Sequence, residues 1–232
     1  RAPGFYYDAG NIRILATDSN TTGSISNDKG TTLLFDIAVG GLFVVLALPL
    51  MGLVWLYLNI FEGGDAVYKQ KRVSRYQTKI GLFKFRTHKH KYHRLTPEQA
   101  FEKMGKPELA LQYRKNGDFL DDDPRIGRFG RFLRRTSLDE LPQLINVVRG
   151  DISLVGPRPL VPEEMDVFGK KSVILSVKPG LTGLAVVSGR RNISFEERRK
   201  LDMYYAQNWS FWLDIVILLK TIVMVVRRVG AK

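Results

Sequence analysis

Hydrophobic residues are unevenly spread along this chain, and residues 37 to 60, IAVGGLFVVLALPLMGLVWLYLNI, form one uncharged apolar run. As a straight helix the run would extend about 36 Å against about 30 Å for a hydrocarbon core, so it reads as membrane sequence. A buried core helix rarely stays apolar on every face over that length. Pro49, near the middle of the run, removes a backbone hydrogen bond and crowds the preceding turn, which predicts a kink. Two arrangements satisfy the pattern: a kinked spanning helix, or a hairpin-like re-entrant helix with halves of about a dozen residues. A second apolar stretch, from Trp209 to Arg228, is interrupted by Asp214 and Lys220. Charges at hydrocarbon depth are costly, so this stretch reads either as an interfacial helix with Trp209 and Trp212 at headgroup level or as a helix packed on the domain core.

Between the two stretches, roughly residues 65 to 200, the pattern is mixed. AVYKQKRV and KIGLFKFRT alternate around a polar turn and predict a hairpin, while TPEQAFEKMGKPELALQYRKNG predicts helix with a break from Gly105 to Pro107. The class expected is therefore α+β. At the N-terminus FYYDAGNIRILA reads as strand, and the following TDSNTTGSISNDKG reads as linker, including Asn20-Thr21-Thr22, which fits a glycosylation acceptor on paper. Four regions follow: a lead-in and linker at 1–30, which could close an upstream domain; a membrane helix at 31–62; a cytoplasmic domain at 63–205; and an interfacial C-terminal helix at 206–232. The first residue is Arg1 rather than Met, which predicts a processed chain or part of a longer one, and no signal peptide is visible.

Charge adds a partner class. Lys plus Arg number 36 against 23 Asp plus Glu, a formal net charge of +13, which calls for anionic partners: nucleic acid, anionic lipid or nucleotide. Lys69, Lys71, Arg72, Arg75, Lys79, Lys84 and Arg86 follow the apolar run and place the next domain on the cytoplasmic side. The absence of cysteine excludes disulfides and thiolate metal sites. His90 and His93 could share a helical face as metal ligands, but with His88 they lie among lysines that would repel a cation.

The polar chemistry concentrates between residues 121 and 159. Arg125, Arg128, Arg131, Arg134 and Arg135 recur mostly every third residue, which would gather several on one helical side as a phosphate-binding stripe, a solvated face or a contact with anionic lipid. Asp121, Asp122 and Asp123 precede them, and Asp123 before Pro124 reads as a turn or helix start. Pro142 is tolerated only in a first helical turn, so a helix should begin near Asp139 and stop at Gly150. Asp139 is then either an N-cap or an ionised carboxylate held ready for nucleophilic attack, and Glu140 is either its partner in chemistry or the end of a capping box with Ser137. In GPRP, Arg158 stands between Pro157 and Pro159, which stiffens the backbone that presents its guanidinium.

Taken in order, these segments resemble the bacterial sugar transferase family, the monotopic phosphoglycosyl transferases. The resemblance covers about residues 33 to 232. It rests on the Pro-broken apolar helix, Gln70-Lys71-Arg72-Val73, Lys84-Phe85-Arg86-Thr87, Asp123-Pro124-Arg125, Leu138-Asp139-Glu140-Leu141-Pro142, Gly156-Pro157-Arg158-Pro159, Lys178-Pro179-Gly180-Leu181-Thr182-Gly183 and Ser188-Gly189-Arg190. It implies a re-entrant membrane helix broken at Pro49, with both ends in the cytoplasm of a bacterium and the catalytic domain on the inner face of the inner membrane. Asp139 would be the nucleophile that takes a sugar-1-phosphate from a UDP-sugar, releasing UMP, before polyprenyl (undecaprenyl) phosphate removes it in the first membrane step of surface glycan assembly. Glu140, with Asp139, would hold Mg²⁺. Arg158, Arg125, Arg135, Lys84, Arg86, Pro157, Pro159 and Arg190 would form the phosphate and substrate site. The implied partners are the UDP-sugar, the polyprenyl phosphate and membrane lipids, with no nucleic acid and with a homodimer left open. Three departures from the family pattern stand out: Leu48 precedes Pro49 where Ser is frequent, Thr32, Leu33 and Leu34 replace a basic pair ahead of Asp36, and Val186 stands where glutamine is common. The competing class is a non-catalytic membrane module for anionic lipid or nucleic acid, whose mark would be salt-dependent binding without turnover.

Overall fold

The computed structural model describes residues 5–8, 11–14, 29–116, 120–162, 171–189 and 193–226. Strands β1 (Phe5–Asp8) and β2 (Asn11–Ile14) form a short antiparallel hairpin. Helix α1 (Lys29–Phe61) follows, then strands β3 (Val67–Val73) and β4 (Lys79–Phe85), paired antiparallel from Val67↔Phe85 to Val73↔Lys79. Their connection contains a tight turn with Tyr76 and Gln77 at positive φ. Next come α2 (Pro97–Lys103) and α3 (Glu108–Lys115), separated at Gly105, whose φ of 68° is left-handed, and at Pro107, the N-cap of α3. Thr96 and Gln99 close a capping box at the start of α2. Helices α4 (Arg128–Thr136) and α5 (Gln143–Val148) lead to β5 (Ser153–Val155), which pairs in parallel with β6 (Gly180–Thr182) beyond the short α6 (Lys171–Ile174). Helices α7 (Leu184–Gly189), α8 (Phe195–Gln207) and α9 (Phe211–Val226) complete the described chain. Mixed helices and small two-stranded sheets agree with the α+β class.

Within α1, Thr32–Phe61 is long and apolar enough to cross a membrane. The helix continues through Pro49 as one element rather than as two separate halves. Loss of one backbone rung bends or weakens a helix locally without ending one of this length. One stripe of α1 rests on the rest of the protein: Met51, Val54 and Leu58 are buried against Ala66, Phe85 and Leu133, and Val44 and Ala47 extend the contact. Each fully buried aliphatic side chain in that stripe contributes about 2 kcal/mol. The remaining faces expose Leu46, Leu53, Ile60 and Phe61, apolar surface that water does not favour.

Both ends of α1 are tied down. Near its start Asp36, buried, accepts hydrogen bonds from Ser153 Oγ at 2.7 Å and from the Leu154 amide at 3.1 Å, while Phe35 meets Phe211 of α9 edge-on. Near its end Tyr57 lies over Phe129 of α4 with ring centroids 4.0 Å apart.

Helix α9 packs one face on the domain and exposes apolar side chains on the other. Ile217 and Asp214 are buried against the domain, whereas Trp212, Leu219, Ile222 and Val225 are exposed. Buried Asp214 is satisfied inside the domain, accepting from Tyr205 Oη at 2.7 Å and from Trp209 Nε1 at 3.1 Å. Trp209 is thereby held at the domain, leaving Trp212 as the exposed tryptophan of the expected headgroup pair.

Candidate active site

Helix α4 ends where Ser137 takes a left-handed conformation, φ 58°, and the chain makes one 3-10 turn, Leu138–Glu140, before Pro142 starts α5. Asp139 is therefore inside a tight turn between two helices rather than the N-cap of α5. Ser137 makes no side-chain cap hydrogen bond, so the alternative capping box with Glu140 is not formed. Glu140 Oε1 instead lies 2.8 Å from Lys84 Nζ. Lys84 sits on β4 opposite Tyr68 of β3, on the hairpin face that also carries Gln70 and Arg72.

The electrostatics of this corner are mutual. Burial first, and then the adjacent Glu140, raise the pKa of Asp139 to about 6 against the lowering effect of Lys84 and Arg134. Burial alone would lower the pKa of Lys84, but Glu140 and Asp139 outweigh it and hold the ammonium above its usual range. At neutral pH the turn thus carries two carboxylates beside a firmly charged lysine. Arg134 is braced from the other side, donating from Nε to Thr87 Oγ1 at 2.9 Å and lying 3.3 Å from His88 Nε2 through Nη2. Burial and the neighbouring Arg134 lower the pKa of His88 to about 3, so its ring is neutral and accepts from Arg134.

A cleft opens beside the turn. Its lining includes Gln70, Arg72, Lys84, Glu140, Arg158, Pro159, Thr182, Val186, Arg198 and Asp202. The loop carrying Arg158 is set by backbone-to-backbone packing: Gly180 donates to Pro157 O at 2.9 Å and Gly156 donates to Thr182 O at 2.9 Å. A Cβ on Gly180 would lie 2.0 Å from Gly156 N, so this crossing requires glycine. Pro157 is fully buried and Pro159 lines the cleft, while Arg158 itself is exposed. From α8, buried Asp202 pairs with Arg199 Nη1 at 3.1 Å and receives the Arg158 amide at 3.4 Å. Burial raises the pKa of Asp202 to about 6 despite Arg199.

The sequence-derived candidates separate accordingly. Glu140, Lys84, Arg158 and Pro159 line the cleft; Asp139 sits beside it in the turn next to Glu140, and Pro157 is buried behind the Arg158 loop, neither of them in the lining. Arg86 does not join them: it is buried, and its guanidinium donates to the carbonyls of Glu62, Gly64, Asp65 and His88, clasping the segment that leaves α1. Nor does Arg125, which is buried on Asp123 with contacts down to 2.6 Å and lies between the rings of Phe101 and Tyr113, each 4.5 Å away. Although burial opposes it, Arg125 holds the Asp123 carboxyl below its usual range. Arg135 is exposed on α4 outside the cleft lining, and Arg190 lies outside the described residues. Gln70, Arg72, Arg198 and Asp202 were not among the site residues expected from the sequence. The first two stood in a quoted motif, and the i,i+3 spacing of Arg199 and Asp202 on a helix was a weak signal for the buried pair.

A divalent cation fits the donor set in part. Asp139 and Glu140 supply adjacent hard oxygen ligands, and Mg²⁺ usually takes one or two carboxylates together with substrate phosphates and water. Among the described residues no cluster of three or more His, Asp or Glu is placed to hold a metal, the histidine segment at 88 to 93 included. An ion here would draw its remaining oxygens from a bound phosphate.

Comparison with known proteins adds an independent line. The model of the family described as bacterial sugar transferase matches residues 28–228. The undecaprenyl-phosphate galactose phosphotransferase of Salmonella typhimurium is 41% identical over 199 residues, 85% of this chain and 40% of that protein. The UDP-galactose-lipid carrier transferase of Erwinia amylovora is 42% identical over 200 residues, 85% of this chain and 40% of that protein. The exopolysaccharide production protein ExoY of Rhizobium meliloti is 37% identical over 189 residues, 81% of this chain and 82% of that protein. The chain thus spans about two fifths of the length of the first two relatives and about four fifths of the third.

Proposed function

Because the chain belongs to the bacterial sugar transferase family, we propose that it transfers a sugar-1-phosphate from a UDP-sugar to polyprenyl phosphate, starting a surface glycan such as an exopolysaccharide, capsule or O-antigen. The observation that carries this reading is the Asp139-Glu140 turn locked to Lys84 at the edge of a cleft whose lining includes Arg72, Arg158 and Arg198. A diphosphate needs such cations, and a phosphoryl acceptor needs such a carboxylate. Asp139 attacks the phosphorus that bears the sugar. A P–O bond to the bridging oxygen breaks, UMP leaves with the electron pair, and a phosphosugar remains on the aspartate. An oxygen of polyprenyl phosphate then attacks the same phosphorus and frees the Asp139 carboxylate. With its pKa near 6, Asp139 is ionised at neutral pH yet more basic than an ordinary aspartate. Lys84 and Arg158 offset the charge of the transferring phosphate. Mg²⁺, held by Glu140 and Asp139, supplies further charge neutralisation when bound.

The membrane arrangement follows the same reading. Both ends of α1 contact one domain, through Asp36 at the start and Tyr57 near the end. We read this as a helix that enters and leaves on one side, an arrangement that requires α1 to bend at Pro49 within the bilayer, with the domain on the cytoplasmic face of the bacterial inner membrane. A lipid-borne acceptor then meets the cleft at the surface. The test is release of UMP from UDP-galactose or UDP-glucose in the presence of undecaprenyl phosphate and Mg²⁺. Asp139→Asn is expected to abolish release and to leave no phosphosugar mass on the peptide holding residue 139. Unchanged turnover in that variant would refute the nucleophile assignment.

A further inference from the structure

The arginine stripe of α4 is only partly used by the interior. Arg134 turns inward to Thr87 and His88, and the inner side of the helix is made by Phe129, Gly130 and Leu133. Arg128, Arg131 and Arg135 lie on the outer side and are exposed, with Phe132 between them at 50% exposure. Positions 128, 131, 132 and 135 fall within about one third of the helix circumference, so these side chains share one face. Arg131 pairs with Asp122 at 3.0 Å, both solvent-exposed, a contact of little strength in water.

That face is continuous with the apolar helix. Phe61 meets Tyr57 at 5.1 Å, Tyr57 meets Phe129 at 4.0 Å and Phe129 meets Phe132 at 6.0 Å between ring centroids, forming an aromatic row from the end of α1 onto the outside of α4. Aromatic residues at the end of a hydrocarbon-soluble helix mark headgroup depth. Guanidinium groups at that depth meet phosphates, bidentately and at reduced dielectric.

We propose that the outer face of α4 is a binding site for anionic phospholipid headgroups, with Arg128, Arg131 and Arg135 holding phosphate and Phe132 inserted beside the acyl boundary. This rests on the membrane reading of α1 but not on catalysis. It fixes the depth of the 3-10 turn that directly follows α4, and so the height at which Asp139 faces a lipid-borne phosphate.

The test takes the full chain from bicelles holding equal amounts of phosphatidylglycerol and phosphatidylcholine and counts co-purified lipid by mass spectrometry. Wild type is expected to enrich phosphatidylglycerol about thirtyfold, the scale set by a few arginines at an anionic surface. Replacing all three positions (Arg128→Gln, Arg131→Gln, Arg135→Gln) should cut enrichment at least fivefold, and Arg→Lys at the same positions should restore only part of it, because an ammonium keeps the charge without the bidentate grip. A charge-matched control on other exposed lysines (Lys69→Gln, Lys71→Gln, Lys103→Gln) should keep enrichment within twofold of wild type. No enrichment in wild type, or equal loss in the two Gln triples, overturns the proposal. Retention of the chain on carbonate-washed vesicles is read in parallel; a chain that washes off overturns the membrane reading and this site with it.

Discussion

Replacing Arg86 with methionine separates a clasp from a ligand. The guanidinium makes five hydrogen bonds to four main-chain carbonyls, those of Glu62, Gly64, Asp65 and His88, at distances from 2.5 to 3.3 Å. Methionine keeps much of the volume and removes every donor. Hydrogen bonds from a charged donor contribute about 1.5–3 kcal/mol each, but residues 62 to 65 lie at least partly at the surface, so their carbonyls can regain water when the arginine is lost. A net loss of about 3–5 kcal/mol follows, the range for removing one partner from a buried charged arrangement. For a chain of this size that corresponds to a melting point lower by about 10 °C. Arg86→Lys should recover less than half, because an ammonium cannot span four carbonyls. Thermal melting of the detergent-solubilised chain, followed by tryptophan fluorescence, reads stability, and UMP binding on the same sample reads the site. A shift under about 2 °C together with a tenfold loss of UMP affinity would refute the clasp and return Arg86 to the substrate site.

Other outcomes follow from the same geometry. Sugar-phosphate transfer should rise with pH through about 6 as Asp139 ionises, and Lys84→Met should move that inflection upward by roughly one unit, since removing a cation disfavours the carboxylate; a pH–rate profile of each protein checks this. Asn146, fully buried, accepts from the Phe83 amide and donates to Gly81 O and to Asp151 Oδ2, each at 2.9 Å, so Asn146→Leu should cost about 2–4 kcal/mol in a denaturation assay. Asp202 has a folded pKa raised to about 6, above its unfolded value, so the folded state binds more protons in between and stability falls as pH rises from about 4 to about 6. Asp139 and Asp214, also raised to about 6, add to the same slope, so Asp202→Asn should reduce it without removing it, measured by melting at steps across the window.

Much of the site was legible because its chemistry is local. Asp139, Glu140 and Pro142 lie within four residues, and proline's limits on helix position placed a helix boundary there whatever the rest of the chain did. The hairpin of β3 and β4 was likewise readable from alternation over contiguous residues. Arg86 and Arg125 were not. Arg86 looks the same in sequence whether it meets a phosphate or four carbonyls, because its acceptors lie up to 24 residues away; Arg125 has its carboxylate only two residues off, but the rings of Phe101 and Tyr113 that bury the pair come from distant positions. Asp202 escaped notice for the same reason: its link to the Arg158 loop crosses 44 residues.

The amino-acid order alone established a long uncharged helix with a proline inside it, a mixed α+β body, a basic surface and an adjacent carboxylate pair ahead of Gly-Pro-Arg-Pro. Those are properties of composition, periodicity and backbone chemistry over short spans. The fold assigned the charges. It buried Arg125 on Asp123, drew Arg134 to Thr87 and His88, tied Lys84 to Glu140, and left Arg128, Arg131 and Arg135 facing outward. Burial makes that assignment, because a charge withdrawn from water must find a partner in three dimensions, and sequence spacing does not say which partner is near.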